Sequence, residues 1–176
     1  MRPALLLGIA GCLPDDWNGE PYLGPPSTST SPSLPTDDTG TDPGDPALVG
    51  SWVSEGADLS VVFREPPFEY ERVEATFEAD GSTVTTAIAS ETFVLTGTWT
   101  VDTSTDPPTI EVAQIEPYAA TAQGLWEVDG DTLTFEVVQV VPDYGFVPPT
   151  PETGFGSTSG PGLVPGANVQ TYRRDR

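Results

Sequence analysis

Thr92-Phe93-Val94-Leu95-Thr96-Gly97-Thr98-Trp99-Thr100-Val101-Asp102 is the stretch that decides the fold class. Phe93, Leu95, Gly97, Trp99 and Val101 fall on one face, and Thr92, Thr96, Thr98 and Thr100 on the other. A period of two is the period of a strand, whose successive side chains point to opposite faces of a sheet. Apolar against polar means that one face is buried and the other wet.

The same alternation recurs on both sides. Val73, Ala75, Phe77 and Ala79 alternate with Arg72, Glu74, Thr76 and Glu78. Leu133, Phe135 and Val137 alternate with Thr132, Thr134 and Glu136, which places Glu136 on a polar face. Asp80-Gly81 and Asp129-Gly130 sit between such runs as hairpin turns do. Strands are predicted near 49–54, 58–64, 70–79, 82–89, 92–102, 108–115, 123–129, 132–141 and 168–174. Short antiparallel strands with one apolar face predict an all-β protein, an eight- or nine-stranded up-and-down barrel that leaves no open edge.

Ahead of Leu48 the pattern vanishes. Residues 13–47 are rich in Pro, Ser, Thr, Asp and Gly, with seven acids and no base. Such a stretch buries too little apolar surface to offset its ordering entropy, so residues 12–47 are expected to be a disordered tether. Its 13–47 stretch would reach ~110 Å when extended and ~30–35 Å as a coil. Asp37-Asp38-Thr39-Gly40-Thr41-Asp42 has neither the ligand spacing nor the closing glutamate of a calcium loop, and reads as a solvated linker.

The first residues read as a signal. Ala4 to Ala10 is an apolar run far short of a membrane-spanning helix. Ile9-Ala10-Gly11-Cys12 resembles the bacterial lipobox. That resemblance implies that residues 1–11 are a lipoprotein signal peptide and that Cys12 carries the lipid anchoring the chain to a membrane. More than one acyl chain is what stable attachment requires. Leu13 follows the cysteine where aspartate would favour inner-membrane retention, so the resemblance implies a cell-envelope protein, on the outer membrane in a Gram-negative cell.

Composition excludes several functions. The 176 residues hold 27 acids against 6 bases, a formal charge of −21, with no histidine and one cysteine. The charge repels phosphate, so nucleic acid is not an expected partner. Without histidine there is no Ser-His-Asp or Cys-His catalysis. A single cysteine allows no cysteine-rich zinc site. Acids recur every few residues, so no pair singles itself out as catalytic. No catalytic residue, metal or cofactor is expected.

Four further pieces, in order, point to a family. They are Leu48-Val49-Gly50-Ser51-Trp52, then Gly97-Thr98-Trp99-Thr100-Val101-Asp102, then Pro108-Thr109-Ile110-Glu111, then the hairpin from Gly124 to Leu133. Together they resemble the lipocalin-like domain of uncharacterised bacterial secreted proteins and lipoproteins, over residues 48 to about 140 with a last strand near 168–174. The resemblance implies a barrel domain over 48–176, closed by Arg173 or Arg174 stacked on Trp52. A cavity is implied too, with Phe63, Phe77, Phe93, Trp99, Trp126 and Phe135 as lining or as filling.

Two readings of function follow, neither of them enzymatic. In the first, the barrel binds a small hydrophobic ligand. In the second, the core is filled and the chain is a structural or protein-interaction lipoprotein. The Pro/Gly-rich insertion 142–167 belongs to the choice. It is either idle and disordered, or a lid or contact strip using Tyr144, Phe146 and Phe155.

Overall fold

A computed structural model describes residues 45–175. The expectations for Cys12, Ile9, Ala10, Gly11 and nearly all of the tether lie outside the described residues. Eight antiparallel strands close into an up-and-down barrel, each paired with its neighbours in sequence and β1 with β8. They are β1 (Gly50–Glu55), β2 (Arg72–Phe77), β3 (Ser82–Ile88), β4 (Thr92–Asp102), β5 (Thr109–Glu116), β6 (Ala120–Asp129), β7 (Thr132–Val141) and β8 (Gln170–Arg174). Inside are Trp52, Phe77, Trp99, Trp126, Phe135 and Tyr172, and outside are Thr98, Thr100, Glu111, Gln123 and Thr134. A lipid-facing barrel has the opposite pattern, an apolar outer band around a polar lumen.

The expected strand at 58–64 is instead a 3-10 turn (Gly56–Asp58) and a short helix α1 (Val61–Arg64). Gly56 at φ +57° ends β1, and Ser60 caps the helix by accepting from the Phe63 N–H. Leu59, Val62 and Phe63 are buried while Val61 is 39% exposed. That spacing fits a helical turn laid on the core, not a strand. Phe63 therefore plugs the barrel from one end rather than lining its wall. It packs with Phe68 and Tyr70 at ring-centroid distances of 5.8 and 5.4 Å, and half-buried Phe93 lies 6.4 Å from Tyr70.

This plugged end, here the mouth, also carries the 89–91 turn, the 117–119 turn and the long 142–169 connection. The other end, the base, carries the chain entry and the three tight turns. Trp52 is fully buried there, and its indole N–H donates to the Leu48 carbonyl at 2.8 Å. The Arg174 guanidinium lies 4.1 Å from the indole centroid and donates to the carbonyls of Val49 and Ala47, each at 2.9 Å. Of the two candidate arginines, Arg174 closes the barrel; Arg173 turns outward to Asp58 and Thr132.

Between plug and base the interior is packed with rings. Phe77 meets Trp99 edge-on at 5.5 Å and Phe135 at 6.0 Å, and Phe135 meets Tyr172 at 6.2 Å. Trp126 donates its indole N–H to the Thr109 carbonyl at 3.2 Å. The wall is tight as well. A Cβ on Gly124 would sit 1.8 Å from the Glu136 carbonyl oxygen, so only glycine lets β6 approach β7 this closely.

Burial of the phenols has a consequence at high pH. Desolvation raises Tyr70 to about 12, with Tyr118 adding to the shift, and desolvation raises Tyr172 further. Both ionise near 10 in an unfolded chain. A raised folded value means stability that is whole below pH 10 and lost as pH climbs from 10 through 12. Urea unfolding at pH 11 should show lower stability than at pH 9, by about 1 kcal/mol per phenol. A flat profile between those values would contradict the buried placement of both rings.

Candidate functional site

The insertion 142–167 folds as an arm against the outside of the barrel. Its two limbs are tied by reciprocal main-chain hydrogen bonds between Val147 and Ser159, at 2.8 and 3.2 Å. Gly160 lets the limbs close, because a Cβ there would lie 2.3 Å from the Phe146 ring. The arm reaches the plug where the Val62 N–H donates to the Ala167 carbonyl at 3.1 Å, and Leu163 and Ala167 pack against the core there.

Its main anchor is Glu136. Alternation correctly points this side chain away from the core, yet it is fully buried, because the arm covers it. One carboxylate oxygen accepts from the Gly156 N–H at 2.5 Å. The other accepts from the Thr158 N–H at 3.1 Å and from the Thr158 hydroxyl at 2.5 Å. A buried carboxylate survives when donors replace its lost water, and here the arm's main chain supplies them. Asn168 adds a bond to the Val137 carbonyl at 2.8 Å, and Gln139 one to the Pro142 carbonyl at 3.0 Å. Phe146 is buried with Ala120 and Val138.

Tyr144, Phe146 and Phe155 are therefore not brought together over the mouth. Phe146 is sealed against the wall, Phe155 is half-buried in the arm, and Tyr144 is 41% exposed. α1 and Phe68 close the mouth instead.

Two spaces differ sharply in size. On the inner face of β3 to β6, beside Thr83, Thr85, Leu95 and Gln114, lies a half-open pocket of about 20 Å³. One water needs about that much, and a drug-sized ligand needs ~300 Å³ or more. Phe77, Trp99, Trp126 and Phe135 act as filling.

Outside, a cleft of about 340 Å³ opens between the arm and the wall. Its floor is the outer face of β4, β5 and β6, where Thr100 opposes Glu111, Glu111 opposes Gln123, and Asp102 opposes Thr109. Its side is Pro148-Pro149-Thr150-Pro151. The Gln123 amide donates to Glu111 at 2.8 Å. Asp102 accepts from the Ser104 hydroxyl and N–H, which holds its carboxyl below the usual range and keeps it charged. Nothing in the sequence marks this cleft. Its floor residues look like any wet strand face, and only the arm's position turns them into a site.

Among the described residues no three acids or cysteines are grouped as metal ligands would be. No helix among them is long and apolar enough to cross a membrane. The chain matches no family model, no curated protein and no solved structure.

Proposed function

We propose that the protein is a non-catalytic, lipid-anchored envelope protein whose lipocalin-like barrel is a solid scaffold. Its arm at 142–167 is the contact surface for a protein partner. One contrast carries this reading: the inward-facing pocket beside Thr83 and Gln114 holds about 20 Å³, while the arm borders an outer cleft of about 340 Å³. The rival role, a carrier of a small hydrophobic molecule, requires the rings of the core to repack, at a cost of ~1–3 kcal/mol or more. The lipobox-like Ile9-Ala10-Gly11-Cys12 supports the anchor.

Both halves can be tested in the native host. Cys12→Ser should move the protein from the membrane fraction to the soluble one, and should abolish labelling by radioactive palmitate. Retention of label would remove the anchor from the account. A photo-crosslinking residue at Val147, 57% exposed on the arm, should yield a defined adduct with an envelope protein. The same residue at Val84, on the outer face of β3 and 41% exposed, should not. Equal crosslinking from both positions would remove the arm as contact surface.

A further inference from the structure

The cleft is unusual in what it offers a partner. Pro148, Pro149 and Pro151 have no N–H, and the Thr150 N–H is spent on Thr153 Oγ1 at 2.9 Å. That side therefore presents the half-buried rings of Pro148 and Pro151 and donates nothing from its backbone, while the Thr150 carbonyl is taken by the N–H groups of Thr153 and Gly154. On the floor, Asp102 and Glu111 are diagonal neighbours on adjacent strands. Residues so placed lie ~7 Å apart. No ion pair among the described residues reaches either carboxylate; Arg72 pairs with Glu55 and Glu74, Arg173 with Asp58 and Arg174 with Asp131. Gln123 has turned its amide N–H to Glu111. The site is negative, with the Asp102 and Glu111 carboxylates and the Thr100 and Thr109 hydroxyls on its floor and apolar rings at its side.

Resting on the contact-surface reading above, we infer that the cleft takes an arginine side chain from an extended, basic segment of a partner protein. Guanidinium supplies five N–H donors in one plane, stays charged, and is weakly hydrated enough to stack on ring faces. Lysine fits less well, being a compact and strongly hydrated charge. An extended backbone suits a floor that crosses three strands, ~10 Å wide. The chain's own 13–47 stretch brings seven acids and no base, and a second copy brings a charge of −21. Like charge disfavours both occupants.

The full-length chain tests this with a fluorescein-labelled eight-residue Arg-Thr repeat, followed by anisotropy at ~50 mM and ~150 mM salt. The counterpart with citrulline, neutral and nearly isosteric, should not bind. Asp102→Asn with Glu111→Gln should weaken the peptide at least tenfold. Glu78→Gln with Asp80→Asn removes the same charge at the β2–β3 turn and should weaken it less than threefold. All four positions are exposed, so the folds should survive, which circular dichroism checks. Equal weakening by both pairs would overturn the inference and leave only the general field of an acidic protein. Absence of binding at millimolar peptide would also overturn it, as would equal binding of the citrulline peptide. The contact-surface reading fails separately, through the Val147 crosslink. If that crosslink forms and is unchanged in the Asp102/Glu111 variant, the arm stands and the arginine segment falls. Anisotropy rising with protein concentration without peptide specificity would point to a second copy as occupant.

Discussion

Glu136→Ala should detach the arm while leaving the barrel folded. Among the described residues the carboxylate is the acceptor for three arm donors, the N–H groups of Gly156 and Thr158 and the Thr158 hydroxyl. Removing it leaves those donors buried and unpaired if the arm stays. Each such donor costs about 1–3 kcal/mol. Asn168 on Val137 and Val62 on Ala167 hold the arm's end independently, so release is expected first around Gly156–Thr158. A loss of about 3 kcal/mol or more in arm attachment is expected, roughly a 150-fold shift. Hydrogen exchange should show it as fast exchange at Gly156 and Thr158 with slow exchange kept in β2 to β5. Glu136→Gln should fall between, because its amide keeps one acceptor but aims a donor at a donor. Unchanged protection at Gly156 in the alanine variant would contradict the clasp.

Trp52→Ala should cost more and should act on the whole barrel. Truncating a buried tryptophan removes its transfer energy and leaves a cavity, typically 3–5 kcal/mol. Two further losses add to this here. The Leu48 carbonyl loses its indole partner, and the Arg174 guanidinium loses the ring face beneath it. A domain of this size is stable by only ~5–15 kcal/mol, so the variant should be marginal and its melting temperature lower by roughly 10–20 °C. Trp52→Phe keeps most of the packing and should recover about half the loss. A deficit under about 1.5 kcal/mol for the alanine variant would mean that the Trp52–Arg174 closure is not what holds the base together.

Strand pattern made most of the barrel legible. Along Thr92–Asp102 the two faces separate cleanly, and the structure gives β4 those same bounds. The turns at Asp80-Gly81 and Asp129-Gly130 fall where expected. The failure at 58–64 has a local cause. Leu59, Val62 and Phe63 have a helical spacing behind a capping serine, but the β-branched pair Val61-Val62 outweighed it. Other failures have no local cause. Alternation tells that Glu136 leaves the core; it does not tell that a segment twenty residues later, at Gly156, will cover it. The arm's conformation is set by that carboxylate and by Asn168 on Val137, both distant in sequence, and by Phe146 on Val138. A run rich in proline and glycine has no period of its own to announce this. The cleft is a product of the arm and inherits its invisibility.

The most direct test of the solid scaffold is an intact mass of the protein from its own host, measured under native and then denaturing conditions. A filled barrel predicts one mass in both, the polypeptide with whatever is covalently attached. A small-molecule adduct of a few hundred daltons that leaves on denaturation, and that persists in the Asp102→Asn/Glu111→Gln protein, would contradict it. That ligand would have to occupy the interior.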